Sequence, residues 1–257
     1  MSEFVNEVSV NYPVEKLVSI GCSHMYGSEI MGEGSPIRRQ ELTFAGLIAK
    51  HLGLEHEDLS VPGGSNTYIR ETAVEHLAKN DDRQGTLYLI GWTTYSRHYF
   101  YWENEDGEEE IYHWAQGVDP GPASEVIGTD VSLLFDYFKL YMTNDDDGRR
   151  RRMTDTILLA NTFKTYKVPY AMMSSCSTWI AQDFNEGHPR IGSHWKKHFP
   201  FPNYYEPYNA FVQKMIDQRP DCFTKSLHGN NVAHKNYAIG LRNFIKYNIL
   251  RGNNRDE

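Results

Sequence analysis

The chain of 257 residues lacks several features that would assign it to a specialised class of protein. It contains no stretch of about eighteen apolar residues, so the sequence predicts no membrane span. The N-terminal segment MSEFVNEVSVNYPVEK is acidic and lacks the apolar core of a signal peptide. No internal repeat and no interdomain linker is visible. These absences predict a globular protein that has no membrane partner and no export signal.

Cysteine and positive charge are also scarce. The three cysteines, Cys22, Cys176 and Cys222, are far apart and odd in number. Their spacing fits neither a metal site nor a disulfide framework, and it is typical of a reducing compartment. The formal net charge of −8 argues against a nucleic-acid partner. The basic run 149–152 follows an acidic run, so a solvated turn and helix start explains it better than an anion-binding patch.

What the sequence does contain is a repeated order of strand and helix. Apolar runs predict strands at 17–20, 56–61, 85–94 and 168–175. Helical periodicity predicts helices at 41–53, 66–79, 130–143, 150–166, 207–217 and 232–250. Strands that alternate with helices form a parallel sheet with helices on both faces. We therefore predict a single α/β domain over 1–257, with four or five parallel strands and a frayed tail at 252–257.

An aromatic segment follows the third predicted strand. RHYFYWENEDGEEEIYHW places aromatic residues on both sides of Asp106-Gly107, which predicts a hairpin with a tight turn inside an insertion at 95–130. Strand packing explains most of these aromatics, because strands favour them. The segment begins at the edge of the sheet, where exposed aromatic rings would also suit the flat faces of sugars.

Small polar residues follow the first three predicted strands, in the segments GCSH, VPGGSN and GWTT. The carboxyl ends of parallel strands meet at one edge of a sheet, where ligands bind. A serine on a tight turn there has a hydroxyl beside free backbone N–H groups. Ser23 is therefore a candidate nucleophile. The alternative is that Ser23 only caps a helix, since Gly-x-Ser is a common tripeptide.

These segments resemble the motifs of the SGNH, or GDSL-like, hydrolases. Members carry Gly-Asp-Ser after the first strand, Gly after the second, Gly-x-Asn-Asp after the third, and Asp-x-x-His before the last helix. The matching segments here are GCS, VPGG, GWTT and LHGNNVAHKNYA, and the resemblance spans Leu17 to about Leu250. The chain also resembles a divergent branch of these hydrolases that is common in bacteriophage genomes. The resemblance rests on Gly-Cys-Ser-x-x-x-Gly followed by Gly-Gly-Ser-Asn.

The resemblance implies a three-layer α/β/α fold of the flavodoxin-like type and a reaction without a cofactor. It implies that Ser23 is the nucleophile and that His228 is the base, with His234 inside the final helix. Backbone or side-chain donors must also hold the oxyanion. The residues that match those oxyanion or substrate positions, or could substitute for them, are Gly63, Gly64, Asn66 and Thr93.

Two positions depart from the family pattern. Thr93 stands where the family has its oxyanion Asn, and Lys225 stands where it has the acid that orients the base. The sequence therefore predicts a Ser–His dyad or an incomplete triad. The acceptor that holds His228 would be a backbone carbonyl of the preceding loop, Asp221, or an acid of the loop-rich region such as Asp183 or Glu186.

Further polar residues are candidates for the pocket: His24, Tyr95, Arg97 and Asp221. For Arg97, bracing the hairpin acids is favoured over binding a substrate anion. His188, His194 and His198 form the one group with metal-like spacing. Lysines lie between them and no helical apolar pattern supports the spacing, so we predict no metal site. His188, in Gly-His-Pro, is a second candidate for the base.

Together these features predict ester hydrolysis by acyl transfer to Ser23, with an O-acyl group on a carbohydrate as the candidate substrate. The alternative is a protein that keeps the fold without the chemistry, such as a phage-encoded binding or structural protein. The departures at Thr93 and Lys225 favour that alternative. The predicted location is the cytoplasm, or the virion for a phage-encoded chain, and the sequence predicts no oligomeric state.

Overall fold

A five-stranded parallel sheet forms the centre of the computed structural model. The residues that the structure describes are 13–30, 36–80, 83–103, 106–115, 131–137, 145–176, 193–205, 211, 222 and 228–250. The strands of the sheet are β1 (Lys16–Gly21), β2 (Glu55–Asp58), β3 (Thr86–Trp92), β6 (Tyr170–Ser174) and β7 (Tyr204–Tyr205). Their order is β2-β1-β3-β6-β7, and every pairing is parallel. This is the flavodoxin-like order, so the predicted fold class is confirmed.

Helices cover both faces of the sheet. They are α1 (Ser23–Tyr26), α2 (Pro36–Leu42), α3 (Phe44–Leu52), α4 (Asn66–Lys79), α5 (Ser132–Tyr137), α6 (Asp145–Tyr166), α7 (Ser193–His198) and α8 (Asn231–Phe244). Successive residues of β3 point to opposite faces, as strand geometry requires. Leu87 and Leu89 join the apolar cluster of α3 and α8. Tyr88 and Ile90 join the cluster of α4 and α6. All seven residues of β3 are buried, which explains its nearly continuous apolar sequence.

Several helix bounds differ from the predicted ones. The segment predicted as one helix from residue 41 is split at Thr43, whose hydroxyl accepts the Gly46 N–H at 3.1 Å. The preceding helix α2 lies mostly before residue 41, in a stretch for which the sequence predicted no helix. Helix α6 begins at Asp145, because the acidic run favours the positive N-terminal end of the helix dipole. The helix start predicted for this charged run is therefore confirmed, five residues before the predicted bound of 150. The predicted helix at 207–217 lies outside the described residues, except for Phe211.

The predicted aromatic hairpin is confirmed. Strands β4 (Arg97–Glu103) and β5 (Glu109–Ala115) pair in antiparallel register, with Gly107 at φ +76° in the turn between them. The hairpin packs on α4, since the rings of Tyr68 and His113 meet edge to face at 4.7 Å. A Cβ added at Gly63 would lie 3.1 Å from the His113 Cβ. The hairpin therefore covers the loop that follows β2.

Within the part of the chain that the structure describes, no helix is long and apolar enough to cross a membrane.

Candidate active site

Ser23 begins α1, directly beyond the end of β1. Gly21 is needed at this turn, because a Cβ there would lie 2.6 Å from the Met25 Cβ and 3.1 Å from the Gly91 oxygen. Cys22 then continues in extended conformation as the N-cap of α1. The Ser23 carbonyl accepts N–H groups from Gly27 and from the residue after it, each at 3.0 Å. Ser23 is 6% exposed, so its loop is fixed and nearly closed to solvent.

His228 lies beside this loop. Its ring centroid is 4.9 Å from that of His24, the residue that follows Ser23. The next helix, α8, begins at Asn231 and is capped by Asn230, whose side-chain oxygen accepts the N–H of Val232 at 2.9 Å. The cap fixes the point at which the chain leaves the site. The structure thus brings together the two segments that carry the predicted nucleophile and the predicted base.

A carboxylate reaches His228 from the nucleophile's own loop. Glu29 Oε1 lies 3.6 Å from His228 Nδ1. This distance is slightly longer than a hydrogen bond and becomes an ion pair only when the imidazole is protonated; catalytic contacts are often long before substrate binds. Glu29 has a left-handed backbone, with φ 64°. The sequence did not suggest Glu29. The acceptors that it did suggest, Asp221, Asp183 and Glu186, lie outside the described residues, as does Lys225.

The site keeps its histidines neutral at pH 7. Burial lowers the pKa of His228 below its usual value, and the charges of His24 and Arg97 lower it further, while Glu29 raises it. Burial also lowers the pKa of His24, with a smaller contribution from Arg97. A neutral imidazole can accept a proton from a serine hydroxyl. His228 is therefore in the protonation state that a general base requires.

Asn66 holds the loop after β3. Its side-chain oxygen accepts the Thr93 N–H at 2.8 Å, and its amide nitrogen donates to the carbonyls of Thr93 and Thr94 at 3.2 Å each. Both ends of the carboxamide are therefore engaged with backbone. The predicted role of Asn66 as an oxyanion donor does not fit this geometry. Asn66 instead positions the neighbouring loop.

Two further oxyanion candidates are also engaged. The Gly64 N–H donates to the Val61 carbonyl at 3.2 Å. The Thr93 side chain is fully buried, with its hydroxyl 3.7 Å from the Cys176 sulfur. Gly63 has φ +81°, a conformation that favours glycine, and it lies in the loop between Val61 and α4. The backbone amides of Gly63 and Ser23 are thus the remaining candidates from the sequence.

Arg97, at the start of β4, directs positive charge toward this edge of the sheet. Its charge lowers the pKa of His113 as well as those of His24 and His228. Its Nη1 is buried, and it has no hydrogen-bond partner among the described residues. Within the same residues no hairpin carboxylate pairs with Arg97, which disfavours the bracing interpretation.

Tyr95 packs against helix α6. A Cβ added at Gly148 would lie 2.6 Å from the Tyr95 ring. Tyr95 also packs against the apolar cluster that contains Trp92 and Met153. These contacts place the Tyr95 ring against α6, and its pocket role stays a prediction. Asp221, the other remaining pocket candidate, lies outside the described residues.

No group of three or more His, Cys, Asp or Glu side chains that could hold a metal occurs among the described residues. His188 lies outside those residues, and His198 ends α7.

No family model and no curated protein matches the chain. Several solved structures are similar to it in overall arrangement. The psychrotrophic esterase EstA from Pseudoalteromonas sp. is 12% identical, with 90% of this chain and 97% of that one covered and a TM-score of 0.45. A GDSL-like lipase from Bacteroides thetaiotaomicron is 11% identical, with coverages of 90% and 88% and a TM-score of 0.46. An acetyl xylan esterase from Geobacillus stearothermophilus is 14% identical, with coverages of 94% and 99% and a TM-score of 0.45.

Proposed function

We propose that the chain is an SGNH-type serine esterase, in which Ser23 is the nucleophile, His228 the general base and Glu29 the residue that orients the base. The observation that carries the proposal is the position of the His228 imidazole. It lies against the loop of Ser23 on one side, 4.9 Å from the His24 ring, and its Nδ1 is 3.6 Å from Glu29 on another. A nucleophile, a base and an orienting acid are the three parts that acyl transfer to serine requires.

The chemistry follows from this order of groups. With Nδ1 facing Glu29, the Nε2 of His228 accepts the proton of the Ser23 hydroxyl as the oxygen attacks the ester carbonyl. The imidazolium that forms is stabilised by the Glu29 carboxylate. The tetrahedral intermediate then expels the alcohol, which receives the proton from His228. Water hydrolyses the acyl-enzyme by the same route, and the acid product leaves with Ser23 regenerated.

The oxyanion of the intermediate is stabilised by the backbone amides of Ser23 and Gly63. Asn66 fixes the adjoining loop through its bonds to Thr93. Arg97 adds positive potential at this edge, and its buried, unpartnered Nη1 suits a negative charge that develops on substrate. Preorganised donors of this kind contribute about 100- to 1,000-fold each to acyl-transfer rates in serine proteases.

The proposed substrate is an ester. More specifically, we propose an O-acyl group on a carbohydrate. The support for a sugar is the aromatic hairpin beside the site, in which Tyr101 is 52% exposed. The Tyr99 and Tyr101 rings lie 5.5 Å apart at a steep angle. Rings of this kind, held on a hairpin, can stack on the apolar face of a sugar.

The test is the turnover of a small aryl acetate, with covalent labelling by a serine-directed phosphonate. We expect turnover and a single label on Ser23, both abolished by Ser23→Ala. The matched control is Ser28→Ala, which removes a hydroxyl from the same loop and should retain both. Absence of labelling and of turnover in the wild-type chain would overturn the proposal. It would favour the alternative of a binding or structural protein, phage-encoded or not, that keeps the fold.

A further inference from the structure

Two thiols face each other beside the proposed nucleophile. The sulfurs of Cys22 and Cys176 are 4.0 Å apart. Cys22 follows β1 and precedes Ser23, whereas Cys176 follows β6, so the pair links two loops at the active edge of the sheet. Cys22 is fully buried and Cys176 is partly exposed. The third cysteine, Cys222, is buried in the apolar cluster of α3 and α8.

The surroundings of the pair shift the pKa values of the two thiols in opposite directions. The hydrogen bond with Cys22 lowers the pKa of the Cys176 thiol to about 6, assisted by the charges of Arg97 and Arg152 and opposed by burial. The same hydrogen bond and burial raise the pKa of Cys22 to about 12. Cys176 is therefore the more acidic of the two thiols and the one that loses its proton more readily. Cys176 is thus both the more acidic and the more exposed residue of the pair, and the second thiol lies beside it.

We propose that Cys22 and Cys176 form a reversible disulfide beside Ser23 when the protein meets a peroxide. The Cys176 thiolate attacks one peroxide oxygen and breaks the O–O bond, which gives a sulfenic acid and, after protonation, one water. The Cys22 sulfur then attacks the sulfenic sulfur, forms the S–S bond and displaces a second water. Two thiols and one hydrogen peroxide thus yield one disulfide and two waters. A dithiol reductant reverses the change by thiol exchange.

The bond would act on the nucleophile through the backbone. A disulfide requires an S–S distance of about 2.05 Å, so the two sulfurs must approach by about 2 Å. Cys22 is the N-cap of α1, and its carbonyl accepts the Tyr26 N–H at 2.9 Å. Movement of Cys22 therefore moves the first residue of α1, which is Ser23. The inferred loss of activity depends on the proposed esterase function, whereas formation of the disulfide does not.

The first experiment measures the bond itself. The folded protein is treated with hydrogen peroxide, the remaining thiols are alkylated, and peptides are examined by mass spectrometry. We expect loss of two hydrogens from the intact mass and one cross-linked peptide that contains Cys22 and Cys176. Cys222→Ala should still form the cross-link, and Cys176→Ala should not, with Cys176→Ser as the substitute if the alanine variant fails to fold. Oxygen adducts on Cys176 without a cross-link would overturn the proposal.

The second experiment measures aryl acetate turnover before peroxide, after peroxide and after a dithiol reductant. We expect the cross-linked wild-type protein to lose at least about tenfold in turnover and to regain it on reduction, because the effect acts on a loop that holds the nucleophile. Cys176→Ala should lose no activity with peroxide. Full activity in the cross-linked protein would overturn the regulatory consequence. A chain with no turnover at all would refute the esterase function, while the cross-link still decides the thiol chemistry.

Discussion

Glu29 and His228 are 199 positions apart in the sequence, yet the Glu29 Oε1 lies 3.6 Å from the His228 Nδ1. In the proposed triad, the acid therefore comes from the segment that follows Ser23, whereas the pattern that the sequence resembles places it just before the histidine. The proposal for this reason needs no acid at the position of Lys225. The carboxylate that lies beside His228 belongs instead to Glu29, in the segment that follows β1 and α1.

The first prediction concerns this acid. Glu29→Gln removes the charge that stabilises the imidazolium, so we expect kcat to fall by roughly 10- to 100-fold. The loss should be smaller than the factor of about 10,000 known for a buried triad carboxylate, because the Glu29 side chain is 45% exposed. Since Glu29 raises the pKa of His228, the acid limb of the pH–rate profile should also move to lower pH.

The control for Glu29 is Glu75→Gln, which removes an exposed carboxylate that pairs with Lys79 on α4. We expect wild-type kinetics from this variant. The measurement is kcat and kcat/KM for an aryl acetate between pH 4 and pH 9, at about half-unit steps. Equal kcat in the Glu29 variant and the wild type would contradict the triad.

The second prediction concerns the pH dependence set by Arg97. His228 is active when neutral, so activity falls as pH drops through its pKa, which lies below the usual value. Arg97 lowers that pKa. Arg97→Met should therefore raise it and move the acid limb of kcat/KM to higher pH, while Arg97→Lys, which keeps the charge, should leave the limb in place. An acid limb that stays in place in the methionine variant would show that the charge of Arg97 does not act on His228.

The order of strands and helices can be predicted from the sequence, because it depends on the local spacing of apolar residues. The apolar runs at β1 and β3 and the glycines that end them place Ser23 and Thr93 at one edge of the sheet. The contact of Glu29 with His228 was not predictable, since it joins residues far apart in the sequence and Glu29 has a left-handed backbone, which sequence rarely signals for a non-glycine residue. Burial of Arg152 was equally hidden. It lies in a charged run, yet it is 1% exposed and donates to Ser174 at 2.8 Å.

The same limit applies to Asn66. A polar residue in a glycine-rich loop suggests a ligand, but its partners are backbone atoms 27 and 28 residues away. Such contacts depend on how β3 and α4 pack. Only the folded chain distinguishes a side chain that faces substrate from one that satisfies a neighbouring loop.

The third prediction tests that role of Asn66. Asn66→Ala leaves the buried Thr93 N–H without its acceptor, which costs about 1–3 kcal/mol of the free energy of unfolding. Urea unfolding followed by circular dichroism measures the change. Asn161→Ala, at an exposed position of α6, should alter stability by less than about 0.5 kcal/mol. An Asn66 variant as stable as the wild type, with only kcat reduced, would return Asn66 to the role of oxyanion donor.

The fourth prediction concerns His234, which lies inside α8 as predicted. Its Nδ1 accepts the Phe44 N–H at 3.0 Å, and its ring stacks on Phe44. Burial lowers its pKa to about 3, with smaller contributions from the charges of His24 and His228. The unfolded chain, with an ordinary histidine pKa near 6.5, therefore binds more protons than the folded chain between about pH 6.5 and pH 3. Stability must fall as pH drops through this window.

Two variants separate the titration of His234 from its hydrogen bond. His234→Asn keeps an acceptor for the Phe44 N–H but cannot titrate, so it should remove about 1.4 kcal/mol per pH unit from the slope of stability against pH between pH 6 and pH 4. His234→Ala removes the acceptor as well. It should show the same shallow slope and lie about 1–3 kcal/mol below the asparagine variant at pH 7, because the Phe44 N–H is then buried without a partner. Urea unfolding at each pH gives both quantities. Parallel stability curves for the wild type and the asparagine variant would show that His234 does not titrate on unfolding.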